Sequence, residues 1–117
     1  MIHRKADIVT ESRPNLRGGQ GNPLFRHFFS AEDLGGRADM LAIVILQPGE
    51  SVGEHPHNGN GEVYLILTGA ATVTEDGVDY ELQAGEAEFC ADGHTHAIRN
   101  HTDAPMSFLA LIVKDRA

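Results

Sequence analysis

The chain has 117 residues, of which 41% are hydrophobic and 22% charged, and its formal net charge is −8. This length predicts one domain over residues 1–117, large enough to bury about two thirds of its unfolded surface. The acidic balance excludes a basic nucleic-acid footprint and gives no attraction to an anionic membrane, so neither is expected as a partner. Cys90 is the one cysteine, which excludes an intrachain disulfide. It follows Phe89 in an apolar stretch and reads as a buried, inert thiol. The N-terminus carries no secretory apolar segment, and no apolar run approaches the roughly 18 residues of a membrane span. The expected location is cytoplasmic.

In chain order, residues 1–13 predict an initial strand or arm around Ile8-Val9. Residues 14–23 hold Pro14, Gly18, Gly19, Gly21 and Pro23 and predict a loop. Leu24 to Phe29 reads as a strand, and Ser30-Ala31-Glu32-Asp33-Leu34 as one capped turn stopped by Gly35-Gly36. Leu41 to Leu46 is a strand ending at Pro48-Gly49, and Val63 to Leu67 one ending at Gly69. Ala71 to Thr74 and Val78 to Leu82 flank Asp76-Gly77, a two-residue hairpin signal. Ala87 to Cys90 and Ser107 to Val113 complete the pattern. Many short strands with almost no helix indicate an all-β sandwich or barrel.

The densest chemistry lies between Gly49 and Glu62. His55 and His57 are two residues apart, so an extended segment points both imidazoles to one face. Asn58-Gly59-Asn60-Gly61 signals chain reversal, after which Glu62 can return to the same point. Two imidazoles and a carboxylate suit a divalent transition metal, and such a site wants a further ligand. His94 and His96 both stand downstream at the same two-residue spacing, and the residues alone leave them open as alternatives. Tyr64 shares the face of Glu62 and is the catalytic candidate, since a hydroxyl near a metal can orient a substrate or donate a proton. The same position equally suits a packed core ring. Arg26 or His27 could face a cavity, and alternation does not say which. Glu50, Glu54, Glu75, Glu81 and Glu86 read as solvated charges. Gly18-Gly19-Gln20-Gly21 lacks the lysine and hydroxyl residue of a phosphate loop. No G-x-S-x-G elbow accompanies a nucleophile.

These residues resemble the cupin superfamily, in its small single-domain group. Gly49, His55, His57, Glu62 and Gly69 match the spacing G-x5-H-x-H-x4-E-x6-G. Gly85, Gly93, His96 and Asn100 match G-x5-P-x-G-x2-H-x3-N, with Ala91 where that pattern has proline. That departure is expected to loosen the loop delivering His96. The resemblance implies a jelly-roll, double-stranded β-helix barrel, with N-terminal strands and loops over 1–39 and the core barrel over 40–113. It implies metal ligands His55, His57, Glu62 and His96, holding one divalent ion of manganese, iron, cobalt, nickel or zinc. It also implies a homodimer. The implied function is metal-dependent action on, or binding of, a small oxygen-rich molecule such as a carboxylic acid or sugar derivative, with decarboxylase, dioxygenase or isomerase chemistry. The alternative is a non-catalytic metal-dependent binding or sensing module; a purely structural ion is a third reading.

Overall fold

Side-chain alternation along the central strands decides what faces inward. The computed structural model describes residues 1–115. Its strands are β1 (Val9–Ser12), β2 (Leu24–Phe29), β3 (Ala38–Leu46), β4 (Ser51–Pro56), β5 (Asn60–Thr68), β6 (Ala70–Glu75), β7 (Val78–Gln83), β8 (Ala87–Cys90), β9 (Thr95–Arg99) and β10 (Met106–Lys114). They form two antiparallel sheets, ordered β1-β2-β3-β10-β5-β8 and β4-β9-β6-β7. The sheets pack face to face as a jelly roll around one core. Ala42, Val44 and Leu46 of β3 lie at alternate positions and are fully buried, as are Met106, Phe108 and Ala110 of β10. The other face of β10, with Leu109 and Leu111, is only half-buried. No helix of the described residues is long and apolar enough to cross a membrane.

The expected turns form for the expected reasons. Asp76 and Gly77 both have positive φ (49° and 80°), the type I′ geometry that suits the twist of β6 and β7. Ser30 and Asp33 exchange reciprocal backbone-to-side-chain hydrogen bonds. Gly35 and Gly36, at positive φ, end that turn before a helix develops. Two readings are corrected. Residues 95–99 form β9, a strand that the sequence pattern does not announce. His96 is therefore delivered by a strand, and the Ala91 turn before it is closed by hydrogen bonds from His94 N–H to the Ala91 carbonyl and from Gly93 N–H to the His57 carbonyl. Glu50 is no free surface charge, because its two carboxylate oxygens accept hydrogen bonds from the Gln47 and Asn22 amides.

β4 carries the irregularity that matters most. Val52 pairs with Ile98 and His55 with His96, so three steps on β4 answer two on β9. The extra residue is a β-bulge at Gly53-Glu54. Simple alternation would send Val52 and His55 to opposite faces; with the bulge, both point inward and are buried. Gly53 is also where the 16–19 segment presses on β4. A Cβ there would stand 2.0 Å from the Arg17 carbonyl oxygen. Gly53→Ala is expected to cost about 1–3 kcal/mol or more by overpacking, and to lift this segment away. A melting curve within a degree of wild type would contradict that packing.

Candidate metal centre

Four side chains from both sheets converge at one end of the barrel. His55 stands at the end of β4 and His57 just beyond it. Glu62 is near the start of β5, and His96 is in β9, directly opposite His55. All four are buried, with His96 at 0% and Glu62 at 3% exposure. Their ligand atoms lie within 4.8 Å of one another. The Glu62 Oε1 atom is 3.4 Å from His55 Nε2, 3.1 Å from His57 Nε2 and 3.0 Å from His96 Nε2. His96 Nε2 is 3.1 Å from the Nε2 atoms of both His55 and His57. Donors about 2.1 Å from a shared ion stand about 3.0 Å apart at adjacent corners of an octahedron and about 3.4 Å apart in a tetrahedron. Most of the observed separations match the octahedral spacing.

The outer ring nitrogens explain why the inner ones are free to ligate. His55 Nδ1–H donates to the Gly53 carbonyl at 2.8 Å, an acceptor supplied by the bulge. His57 Nδ1–H donates to Asn60 Oδ1 at 2.8 Å, and His96 Nδ1–H to Glu88 Oε1 at 2.8 Å. In the neutral ring, each bond places the proton on Nδ1 and leaves an Nε2 lone pair facing the cluster; only a charged ring can also donate from Nε2 to Glu62. Lone pairs crowded at 3.1 Å repel unless a cation or a shared proton lies among them. This donor set therefore fits a divalent ion.

The ionisation pattern of the ion-free protein agrees. Burial opposes ionisation of Glu62, but hydrogen bonds from His55, His57 and His96 outweigh it and hold the carboxyl well below the usual range. Burial likewise opposes charging His96, yet the hydrogen bonds to Glu62 and Glu88 prevail and push it up to about 9. His57 is raised, chiefly by its bond to Glu62. Without an ion, the pocket holds onto a proton instead.

Tyr64 lies against this cluster. Its ring stacks on His96 at 4.3 Å, inclined 10°, and meets the edge of Phe108 at 4.8 Å. Burial raises its hydroxyl well above the ordinary value, so it stays protonated. The remaining histidines lie elsewhere. His94 is exposed and bonded to Asp76 at the β6–β7 hairpin. His27 is bonded to Glu11 and faces a neighbouring hollow, and His101 meets Thr72. On the far side of the His96 ring, Glu88 and Cys90 form a smaller group with it. Burial pushes the Cys90 thiol up to about 12, so in the ion-free protein it stays protonated at neutral pH.

The cluster opens into a cavity of about 400 Å³. Neither Arg26 nor His27 lines it. Its cationic lining residues are Arg13 and Arg17, which sequence reasoning missed. Arg13 is held by two contacts to Glu11 Oε1, and its guanidinium lies 4.4 Å from the Phe25 ring centre. Arg17 has φ 56° and ψ 32°, a left-handed conformation that a non-glycine residue rarely adopts. Neither residue sits in a recognisable motif. The packing of the 16–19 segment onto Gly53, with hydrogen bonds from the Gln20 and Asn22 amides to Ser51 and Glu50, carries Arg17 to the cavity.

Residues 42–112 match the Cupin domain family. The chain belongs to that family, as fold and buried three-histidine, one-glutamate cluster together indicate. A Thermotoga maritima protein named oxalate-binding protein is 36% identical over 113 residues, covering 97% of this chain and 93% of the relative. A crystal structure described as a predicted oxalate decarboxylase from Thermotoga maritima superposes with a TM-score of 0.92, at 36% identity, over 97% of this chain and 99% of that one. The tetracenomycin polyketide synthase protein TcmJ of Streptomyces glaucescens is 30% identical over 68% of this chain and 54% of its own length.

Proposed function

We propose that this chain is a metal-dependent cupin that binds a small carboxylic acid at a divalent ion held by His55, His57, Glu62 and His96. One observation carries the reading: four converging donors, most at octahedral spacing and with the outer ring nitrogens already satisfied, open on a cavity lined by two arginines. The similarity to an oxalate-binding protein supports a carboxylate as ligand. When bound, the ion would act as a Lewis acid toward a carboxylate oxygen. The chain's own contribution is to orient three imidazoles, keep the Glu62 charge in place and draw an anion toward Arg13 and Arg17. Tyr64 presents a protonated ring against His96. Among the described residues, the acid–base groups that line the cavity, besides the two arginines, are the proposed ligands and Tyr64. The similarity to an oxalate-binding protein makes binding without turnover the first reading, and proton donation by Tyr64 during decarboxylation is the second.

The test is elemental analysis of protein purified without chelator or metal-affinity tag, followed by calorimetric titration of oxalate into ion-loaded and ion-free protein. The expected result is about one ion per chain and oxalate binding to loaded protein alone. Equal oxalate affinity with and without the ion would sink the reading. Carbon-13 spectra of labelled oxalate then separate the two alternatives: unchanged oxalate supports a binder, and formate whose yield collapses in Tyr64→Phe supports turnover.

A further inference from the structure

The polar end of the cavity occupies only part of it. A volume of about 400 Å³ holds on the order of a dozen waters at about 30 Å³ each. It falls within the roughly 300–1,000 Å³ of sites that take drug-sized ligands. Oxalate, with six heavy atoms, fills a small fraction. Much of the remaining wall is apolar: Leu16, Met40 and Ile112 line the space and are half-buried, above the buried Phe25, Val44 and Phe108. The first three come from the 16–19 segment, β3 and β10.

The sequence keeps this space open. Ala42 of β3, Ala110 of β10 and Tyr64 of β5 are register partners across three adjacent strands. Of the two methyl groups, that of Ala110 lines the cavity beside Tyr64, at a place leucine or isoleucine would narrow. Water against such a wall makes few hydrogen bonds, and an apolar group that displaces it gains affinity.

Resting on the carboxylate-binding reading above, we propose that the ligand class of this site is a 2-oxo acid with an apolar tail of several carbons, rather than oxalate itself. The adjacent carboxylate and carbonyl oxygens would occupy the polar end at the histidine cluster. The tail would lie along Leu16, Met40 and Ile112. Each added methylene buried there tightens binding about fourfold, the equivalent of about 0.8 kcal/mol.

The experiment titrates pyruvate, 2-oxobutyrate, 2-oxopentanoate and 2-oxohexanoate, with oxalate as reference, into manganese-loaded protein. Affinity is expected to rise about sixtyfold from pyruvate to 2-oxohexanoate over three methylenes. The heat-capacity change should grow more negative at each step, the mark of apolar burial. Ala110→Leu, which narrows the wall, should reduce the pyruvate-to-2-oxohexanoate ratio to about fourfold or less, the worth of a single methylene. Met40→Phe, at a half-buried position of the same wall, gives the same readout should the first variant not fold. Affinities that stay flat along the series while oxalate still binds would overturn this inference and leave the carboxylate site standing. Failure of oxalate and every 2-oxo acid to bind loaded protein would overturn both.

Discussion

His96→Ala protein, purified without chelator, is expected to carry no ion above background. His96 Nε2 faces Glu62 and both other imidazoles at 3.0–3.1 Å, so its loss removes the donor that touches every other member of the cluster. Removing an outer hydrogen-bond partner of a metal ligand already costs about 10–100-fold in affinity, and loss of a ligand must exceed that. The same change strips Glu62 and Glu88 of a shared partner and the Tyr64 ring of its stacking surface. An ion-free destabilisation of about 3–5 kcal/mol is expected, the usual cost of leaving one side of a buried pair uncompensated. His55→Ala separates the two effects, because His55 makes no hydrogen bond to Glu88 and does not stack on Tyr64. It should lose the ion with a smaller loss of stability. Wild-type ion content by elemental analysis in either variant would show that the cation, if any, sits elsewhere.

Stability should depend on pH with opposite signs in ion-free and loaded protein. In the ion-free form, His96 is raised from about 6.5 to about 9. A group raised in the folded state contributes fully below its unfolded value, and its contribution disappears as pH climbs through the folded value. The amount at stake for His96 is as much as about 3 kcal/mol, since each tenfold gain in proton affinity is worth about 1.4 kcal/mol. Glu62 behaves inversely: its carboxyl is depressed, so its contribution is present above about 4.5 and fades as the solution becomes more acidic. Ion-free protein should therefore be most stable between about pH 4.5 and 6.5 and soften toward pH 9. Loaded protein must release the His96 proton, so its ion affinity and melting temperature should rise across that same alkaline interval. Calorimetric scans of chelator-treated and manganese-loaded protein check this directly. Parallel slopes would argue that the cation does not displace a proton from these imidazoles.

The strands of the barrel were readable because their alternation and turn chemistry are local. Leu41 to Leu46, the Asp76-Gly77 hairpin and the final strand all carry their own signals. His55, His57 and Glu62 were legible as a group for the same reason, being two strand ends joined by one reversal. The choice of His96 over His94 came from the family pattern, not from geometry. Physically, the two differ because β9 starts at Thr95, which turns His96 inward and leaves His94 on the exposed turn. That strand was obscured because His96 interrupts its apolar face. The bulge at Gly53-Glu54 was invisible, since an unpaired residue shows itself only against a partner strand. Arg13 and Arg17 escaped notice because a glycine-rich loop encodes no direction, and its course is set by contact with β4.

The Gly53 bulge joins two things usually separate in a binding protein. The backbone that aims a ligating imidazole is the same backbone on which the entrance segment rests, with no side chain between to cushion them. Lengthening or shortening residues 14–23 would consequently be transmitted to His55 within two peptide units. Diversification of residues 14–23 in descendants of this chain is therefore constrained by the histidine beneath them.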